Sequence, residues 1–224
     1  MLVWLFLTFV LSNLLVLGTD INKEMPEWRK KCIKVSIKWI TYIGTRFHLL
    51  ISDDEQQVDA DYSNYLGPEW RKELAAYKKP VPTIVANHQG ILDVWLLLRS
   101  HWFPGFLAKQ SNQKSMIGAQ CDALQCLYVK RQGSKDHKQE VLTQLAERQQ
   151  AIQAGQFSRL VIFPESFTTN GSSIARFKHG AFYSLLPVQP MVFLYSGYPE
   201  KPVMSCLTMA SSGIYLFLCT LYGH

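Results

Sequence analysis

The chain has 224 residues, of which 48% are hydrophobic and 18% charged, and its formal net charge is +6. This length allows one globular domain with its own core and leaves little room for a second. The positive charge suits an anionic membrane surface or a phosphate-bearing substrate, and the absence of basic runs interleaved with aromatics and of nucleic-acid motifs favours a membrane over nucleic acid.

The five cysteines are odd in number, and none belongs to a Cys-x-x-Cys pair. Both observations disfavour a disulfide framework and a zinc site. We therefore expect free thiols in a reducing compartment, where disulfides do not persist.

The chain opens with an apolar segment, residues 1–17, that carries no charged side chain. It is just shorter than the ~20 residues that a straight membrane-spanning helix needs. A cleaved signal peptide normally has basic residues before its apolar run, whereas the first basic residue here, Lys23, follows the run. We therefore predict a membrane-anchoring helical segment rather than a signal peptide.

The next segment, residues 26–51, has the pattern of a helix that lies on an anionic membrane surface. Pro26 suits the start of a helix, and apolar residues fill most of the surface that the basic residues leave. An ordinary surface helix is the alternative, and the neighbouring apolar segment favours the membrane. The basic residues that share one face are Lys30, Lys31, Lys34 and Lys38.

The polar residues 52–79 are predicted to be a linker or an exposed entry segment of the globular part, and a globular domain is predicted over residues 80–224. In that domain, short apolar runs alternate with helical stretches. This alternation predicts the α/β class, with a largely parallel sheet flanked by helices. Strands are predicted at 81–86, 126–130, 159–163 and 188–195, and helices at 91–99 and 135–154.

His88 and Asp93 form the first candidate site. His88 directly follows the first predicted strand, and ligands of open α/β sheets bind beyond the carboxyl ends of the strands. Residues five apart point away from each other within a helix. They meet if His88 lies in the strand-to-helix turn, which Gly90 makes flexible, and Asp93 lies in the first helical turn. A carboxylate that holds one imidazole nitrogen leaves the other as a general base. The alternative is a helix cap beside a solvated carboxylate.

A second candidate site extends from Phe163 to Lys178. Pro164 ends the preceding strand, and a polar, turn-rich loop with hydroxyls such as Thr168 follows. Arg176 and Lys178 come shortly after the loop, and such cations suit a phosphate group. The alternative is a surface loop with a basic edge.

Together these segments resemble the lysophospholipid and glycerophosphate acyltransferases. Within that family they resemble most the branch of the lysophosphatidylcholine acyltransferases and their relatives. Four motifs of the family are matched in chain order within residues 80–224. They are Asn87-His88-x-x-x-x-Asp93, Tyr128-Val129-Lys130-Arg131, Phe163-Pro164-Glu165 and Val188-Gln189-Pro190-Met191. Smaller matches are Ala108-Lys109, Thr169-Asn170 and Phe177-Lys178-x-Gly180-Ala181-Phe182.

The resemblance implies a membrane-bound enzyme that moves a fatty acyl group from acyl-CoA to a hydroxyl of a lysophospholipid or of glycerol phosphate. His88 would be the general base, and Asp93 would orient it. Arg131 would be the main phosphate ligand, with Glu165 positioning Arg131 or an acceptor hydroxyl. Further substrate-binding candidates are Lys109, Thr168, Arg176 and Lys178.

The resemblance implies no metal and no cofactor, with acyl-CoA as co-substrate. The implied partners are membrane lipids, acyl-CoA and a lysophospholipid acceptor, without nucleic acid. The implied location is the endoplasmic reticulum membrane, with the catalytic domain facing the cytosol. The apolar segment 203–222 leaves a second membrane contact open.

The chain departs from the family pattern at three positions. Ser166 and Phe167 replace a Gly and the Thr or Ser after it, and Gln125 replaces the Gly that usually opens the second motif. These changes motivate an alternative function, a catalytically weak pseudoenzyme that serves as a lipid-binding or scaffolding subunit of a membrane complex. A hydrolase that uses water as acceptor is a further alternative. The absence of a Gly-x-Ser-x-Gly elbow disfavours its serine version.

Overall fold

The computed structural model describes residues 2–48, 54–114, 118–130 and 133–195, with the backbone alone for residues 2–5, 8, 47, 48 and 135. Within these residues the fold is α/β, as predicted. The segment 203–222 and Arg131 lie outside the described residues, so the predictions on them stay predictions.

Five strands form one sheet in which every described pairing is parallel, as predicted. The spatial order is β3-β2-β4-β1-β5, so β2, β4 and β1 are the inner strands of the sheet. All four residues of β1 and all three of β4 are buried, which is why their sequences are continuous apolar runs. The strands are β1 (Thr83–Ala86), β2 (Gly105–Lys109), β3 (Leu127–Val129), β4 (Leu160–Ile162) and β5 (Val188–Met191).

Seven α-helices surround or precede the sheet in the described residues. The predicted helices at 91–99 and 135–154 are confirmed, and the predicted linker contains two short helices, α3 and α4. The helices are α1 (Leu2–Val16), α2 (Glu27–Ile43), α3 (Ser63–Leu66), α4 (Trp70–Ala76), α5 (Ile91–Arg99), α6 (Gly118–Ala123) and α7 (Lys135–Gln153). A π-helical stretch spans Gly44–His48, and 3-10 helices span Gln110–Lys114 and His179–Phe182.

Helix α2 packs on the α/β part of the chain. Its Ile33 and Ile37 are buried in the same hydrophobic core as Leu97 of α5 and Val161 of β4. The helix begins directly after Pro26, as predicted. The opposite face of α2 remains exposed, so this helix connects the core to an outer surface.

The predicted anchor at residues 1–17 corresponds to α1, an apolar helix of 15 residues. At 1.5 Å per residue it extends for about 22 Å, whereas the hydrocarbon layer of a bilayer is about 30 Å thick. The part of the chain that the structure describes contains no helix with the length and hydrophobicity of a membrane span. The anchoring role of α1 therefore stays a prediction.

Gln125 connects the segment between α1 and α2 to the end of α6. Its φ of +50° lies in the left-handed region, and the N–H groups of Gln125 and Cys126 donate to the carbonyls of Asp122 and Cys121 at 2.9 Å each, the pattern of a Schellman cap. The Gln125 side chain donates to the carbonyls of Ile21 (3.1 Å) and Lys23 (2.8 Å). The residue that replaces the family glycine therefore keeps a glycine-like backbone and adds a link to the N-terminal helices.

Two substitutions separate the effect of the Gln125 side-chain hydrogen bonds on stability from the effect of its left-handed backbone. Gln125→Ala loses both side-chain hydrogen bonds and keeps the left-handed backbone, so we expect its free energy of unfolding to fall by about 2 kcal/mol. Gln125→Gly loses the same bonds but adopts the backbone angle without strain, so we expect a fall of about 1 kcal/mol. Urea unfolding followed by circular dichroism measures both values. Equal losses in the two variants would show that backbone strain at this position is negligible.

Candidate active site

His88 lies in the loop between β1 and α5, and Asp93 lies in the first turn of α5. The His88 Nδ1 atom is 2.8 Å from Oδ2 of Asp93. A carboxylate accepts hydrogen bonds and does not donate them, so Nδ1 carries the proton and Nε2 is left to take one. The predicted contact between the two side chains is therefore present, while their catalytic roles stay predictions.

The Asp93 carboxylate is fully buried and is held by backbone donors as well as by His88. Its Oδ2 accepts hydrogen bonds from the N–H groups of Gln89 (2.6 Å) and Gly90 (2.9 Å), the two residues that directly precede α5. The bond from Gly90, the N-cap residue, satisfies one of the donors at the start of the helix. Hydrogen bonds from amide donors stabilise the ionised carboxylate. The same arrangement fixes the orientation of Asp93 towards the imidazole.

Phe163, at the carboxyl end of β4, supports the imidazole ring from one face. The two ring centroids are 4.0 Å apart and the ring planes are 13° from parallel. The His88 side chain remains 22% exposed, so a substrate can reach the ring from the open side. Stacking on one face and the bond to Asp93 at Nδ1 together orient Nε2.

Glu165 connects three segments of the site and is almost completely buried. Its Oε2 accepts a hydrogen bond from the backbone N–H of His88 at 2.8 Å, and its Oε1 accepts one from the backbone N–H of Ala175 at 2.7 Å. The prediction that Glu165 positions Arg131 or an acceptor hydroxyl stays a prediction. The role that the structure adds is a backbone one, since Glu165 fixes the loop that carries His88.

The other side of the loop is bound to the chain that follows β5. Asn87 Oδ1 accepts a hydrogen bond from the N–H of Phe193 at 2.7 Å, and Asn87 Nδ2 donates to the carbonyl of Phe193 at 3.0 Å. The Gln89 side chain donates to the same carbonyl at 2.9 Å. These contacts explain the Asn of the first motif, whose structural role the sequence did not reveal.

The predicted substrate-binding residues lie beyond the carboxyl ends of the strands or in the loops that follow. Lys109 is the exposed last residue of β2, and Thr168 is half-buried in the loop after Glu165. Arg176 and Lys178 are exposed on a segment that runs back along this loop, where the N–H of Lys178 donates to the carbonyl of Pro164 at 3.0 Å. Because the strands are parallel, these residues share the edge of the sheet that carries His88.

The two departures in the third motif leave the His88–Asp93 geometry intact. Ser166 has a φ of +66°, a conformation that glycine adopts without strain. Phe167 is 57% exposed, so its ring is mainly outside the core. The changed residues therefore alter the surface beside the site.

Comparison with known proteins identifies an acyltransferase family, in agreement with the resemblance of the sequence motifs. Residues 73–194 match the family model described as Acyltransferase. Two Arabidopsis thaliana lysophospholipid acyltransferases are similar: LPEAT2 is 30% identical over 79% of this chain and 29% of the relative, and LPEAT1 is 32% identical over 63% and 35%. A Drosophila melanogaster lysophosphatidylcholine acyltransferase is 31% identical over 55% and 23%. The chain spans about a third of the length of the first two relatives. No solved structure matches.

Proposed function

The chain belongs to the acyltransferase family, and from this premise we propose that it transfers a fatty acyl group from acyl-CoA to the hydroxyl of a lysophospholipid at a membrane surface. The single observation that carries the proposal is the hydrogen bond between His88 and the buried Asp93 at the carboxyl edge of the sheet. The bond engages Nδ1 of His88 and leaves Nε2 outside it on a partly open surface, an arrangement that suits a general base. The motifs around it are those of the family.

In the proposed reaction, Nε2 of His88 removes the proton from the acceptor hydroxyl as its oxygen attacks the thioester carbonyl. The imidazolium that forms is stabilised by the Asp93 carboxylate 2.8 Å away. A new carbon–oxygen bond replaces the carbon–sulfur bond, and the departing CoA thiolate takes the proton from His88. Such general-base assistance is typically worth ~10²–10⁴ in rate.

The names of the family relatives and the charge beside the site support the proposed acceptor class. The relatives named above are lysophospholipid and lysophosphatidylcholine acyltransferases. Arg176 and Lys178 present cations next to the loop of Glu165, and Lys109 presents another from β2. Cations in these positions suit the phosphate of an acceptor or of CoA, and Arg131 would add a bidentate ligand.

The exposed face of α2 supports the membrane part of the proposal. Trp28, Val35 and Trp39 are spaced along one side of the helix, and the two tryptophans are 61% and 60% exposed. Lys31 and Lys34, both exposed, flank this apolar stripe. Exposed tryptophans beside lysines are typical of a helix that lies in the membrane interface. The burial of apolar side chains and the attraction of lysines to anionic lipid both contribute to the binding free energy of such a helix. We propose the endoplasmic reticulum, with the site facing the cytosol, as the location.

Reversal of the α2 charges tests the membrane interaction. We expect Lys31→Glu with Lys34→Glu to weaken binding to vesicles that contain phosphatidylserine by about 2 kcal/mol or more, roughly thirtyfold, since each lysine near such a surface is worth ~1 kcal/mol. Co-sedimentation with vesicles of phosphatidylcholine alone and with added phosphatidylserine measures this. The matched control is Lys78→Glu with Lys79→Glu, two exposed lysines after α4. An equal loss in both proteins would mean that net charge, and not the α2 face, governs binding.

The enzymatic proposal is tested by release of free thiol from long-chain acyl-CoA by the detergent-purified protein. A panel of lysophospholipids and glycerol 3-phosphate is offered as acceptors. Thiol release that depends on one of these acceptors supports the proposal and identifies the acceptor. Release without any acceptor indicates a hydrolase. Folded protein that binds lipid but releases no thiol with any acceptor contradicts the proposal and favours the pseudoenzyme.

A further inference from the structure

One hydrogen bond to the Asp93 carboxylate comes from a residue that is remote in the sequence. The hydroxyl of Tyr195 donates a hydrogen bond to Oδ1 of Asp93, the carboxylate oxygen that does not face His88. Within the described residues, the three other donors to this carboxylate are Nδ1 of His88 and the N–H groups of Gln89 and Gly90, and all three bind Oδ2. Tyr195 is therefore the residue that satisfies Oδ1.

The backbone around Tyr195 is held in place by the His88 loop itself. Asn87 binds both the N–H and the carbonyl of Phe193, and Gln89 binds that carbonyl as well. Val192 and Leu194 are exposed whereas Phe193 and Tyr195 are partly buried, so the side chains of Phe193 and Tyr195 lie on the same side of this stretch. The Phe193 and Tyr195 rings are near-parallel, with centroids 6.5 Å apart, in agreement with that arrangement.

The tyrosine is suited to act as a permanent donor. Burial, together with the charge and hydrogen bond of Asp93, raises the pKa of Tyr195 far above its usual value. The hydroxyl proton consequently stays on the oxygen while His88 gains and loses its proton. A buried carboxylate oxygen without a donor is costly, so this bond stabilises both the charge and the rotamer of Asp93.

We propose that Tyr195 is a positioning residue for the proposed acyl transfer, which acts through Asp93 to hold the His88 imidazole with Nε2 aimed at the acceptor hydroxyl. The residue touches no substrate atom in this role. With Oδ1 bound to Tyr195, the carboxylate cannot rotate away from Nδ1, and the imidazolium that forms during the reaction meets an oriented negative charge. This inference rests on the proposed function.

Tyr195→Phe removes the hydroxyl and leaves the ring, so its effect should fall on turnover. We expect kcat to fall roughly tenfold, the value of one hydrogen bond to a charged group. We expect KM for acyl-CoA and for the acceptor to stay within about twofold, because binding contacts are unchanged. The matched control is Tyr77→Phe, which removes a partly buried tyrosine hydroxyl that accepts a hydrogen bond from Gln153 and makes no described contact with the residues of the site. Tyr77→Phe should keep the wild-type kcat.

A second measurement separates failure of this inference from failure of the proposed function, because it needs no turnover. The Nδ1 proton between His88 and Asp93 should give a far-downfield proton NMR signal, which His88→Ala removes. Tyr195→Phe should shift or broaden this signal, and Tyr77→Phe should leave it in place. An unchanged signal, an unchanged kcat, or a Tyr195→Phe protein that fails to fold while Tyr77→Phe folds would each overturn the positioning role. Absent turnover in wild-type protein with the expected signal change would instead contradict the acyltransferase proposal.

Discussion

Substitution of His88 by alanine is expected to lower acceptor-dependent thiol release from acyl-CoA by ~10²–10⁴-fold while the protein stays folded. The loss follows because Nε2 is the nitrogen that the site leaves free to take the hydroxyl proton. Folding should persist because the His88 ring is partly exposed and Asp93 keeps its donors from Gln89, Gly90 and Tyr195. The initial rate of thiol release and the circular dichroism melting curve measure the two effects.

The control for this variant is His101→Ala. His101 is an exposed histidine whose Nδ1 lies 3.2 Å from Glu55, so it also pairs with a carboxylate, but outside the site. We expect wild-type rates for this variant. Turnover of His88→Ala near the wild-type rate would remove His88 from the mechanism.

Glu165→Gln is expected to lower both stability and activity. Both oxygens of the buried carboxylate accept backbone N–H groups, at 2.8 Å from His88 and 2.7 Å from Ala175. A glutamine keeps the size but presents an NH₂ group to one of these donors, so one bond is lost and the other loses its charge. We expect the free energy of unfolding to fall by about 3 kcal/mol. A displaced His88 loop should lower activity by ~10²-fold, because small misplacements of catalytic groups have effects of that size.

Denaturant unfolding and thiol release on the same preparation measure the two losses. The control is Glu140→Gln, an exposed carboxylate of α7 that lies 3.5 Å from His137, and we expect it to change neither quantity. Wild-type stability of Glu165→Gln would show that Glu165 acts on substrate alone. Together the two variants distinguish a catalytic role from a structural one. His88→Ala should lose activity only, whereas Glu165→Gln should lose both activity and stability.

The fold class and most elements were predictable because the determining pattern is local. The strands β1 and β4 are buried on both faces, and such strands are continuous apolar runs in the sequence. Helix α5 matched its prediction because Gly90 and Asp93 mark its start. Pro26, likewise, marked the start of α2.

Strand β2 was not predicted, and its absence from the prediction has a physical reason. It begins at Gly105, directly after Pro104, and Gly and Pro normally indicate turns. The strand is stabilised by its partners, β3 and β4, which come 18 or more residues later in the chain.

Helices α3 and α4 were also not predicted, because they lie in the polar segment that was predicted as a linker or entry segment. There, Trp70 is buried and meets Tyr62 edge-on, a contact that composition does not reveal.

The sequence by itself determined the α/β class, the place of His88 after a buried strand, and the spacing that lets His88 meet Asp93, because each depends on neighbouring residues. The tertiary structure decided what holds that pair. Glu165 lies 77 residues from His88, and Tyr195 lies 102 residues from Asp93. Gln125 reaches a carbonyl 104 residues away. The bonds of Glu165 and Tyr195 exist because parallel strands bring distant loops to one edge of the sheet, and the bond of Gln125 exists because the N-terminal helices pack on the end of α6. No local pattern encodes which segments will meet.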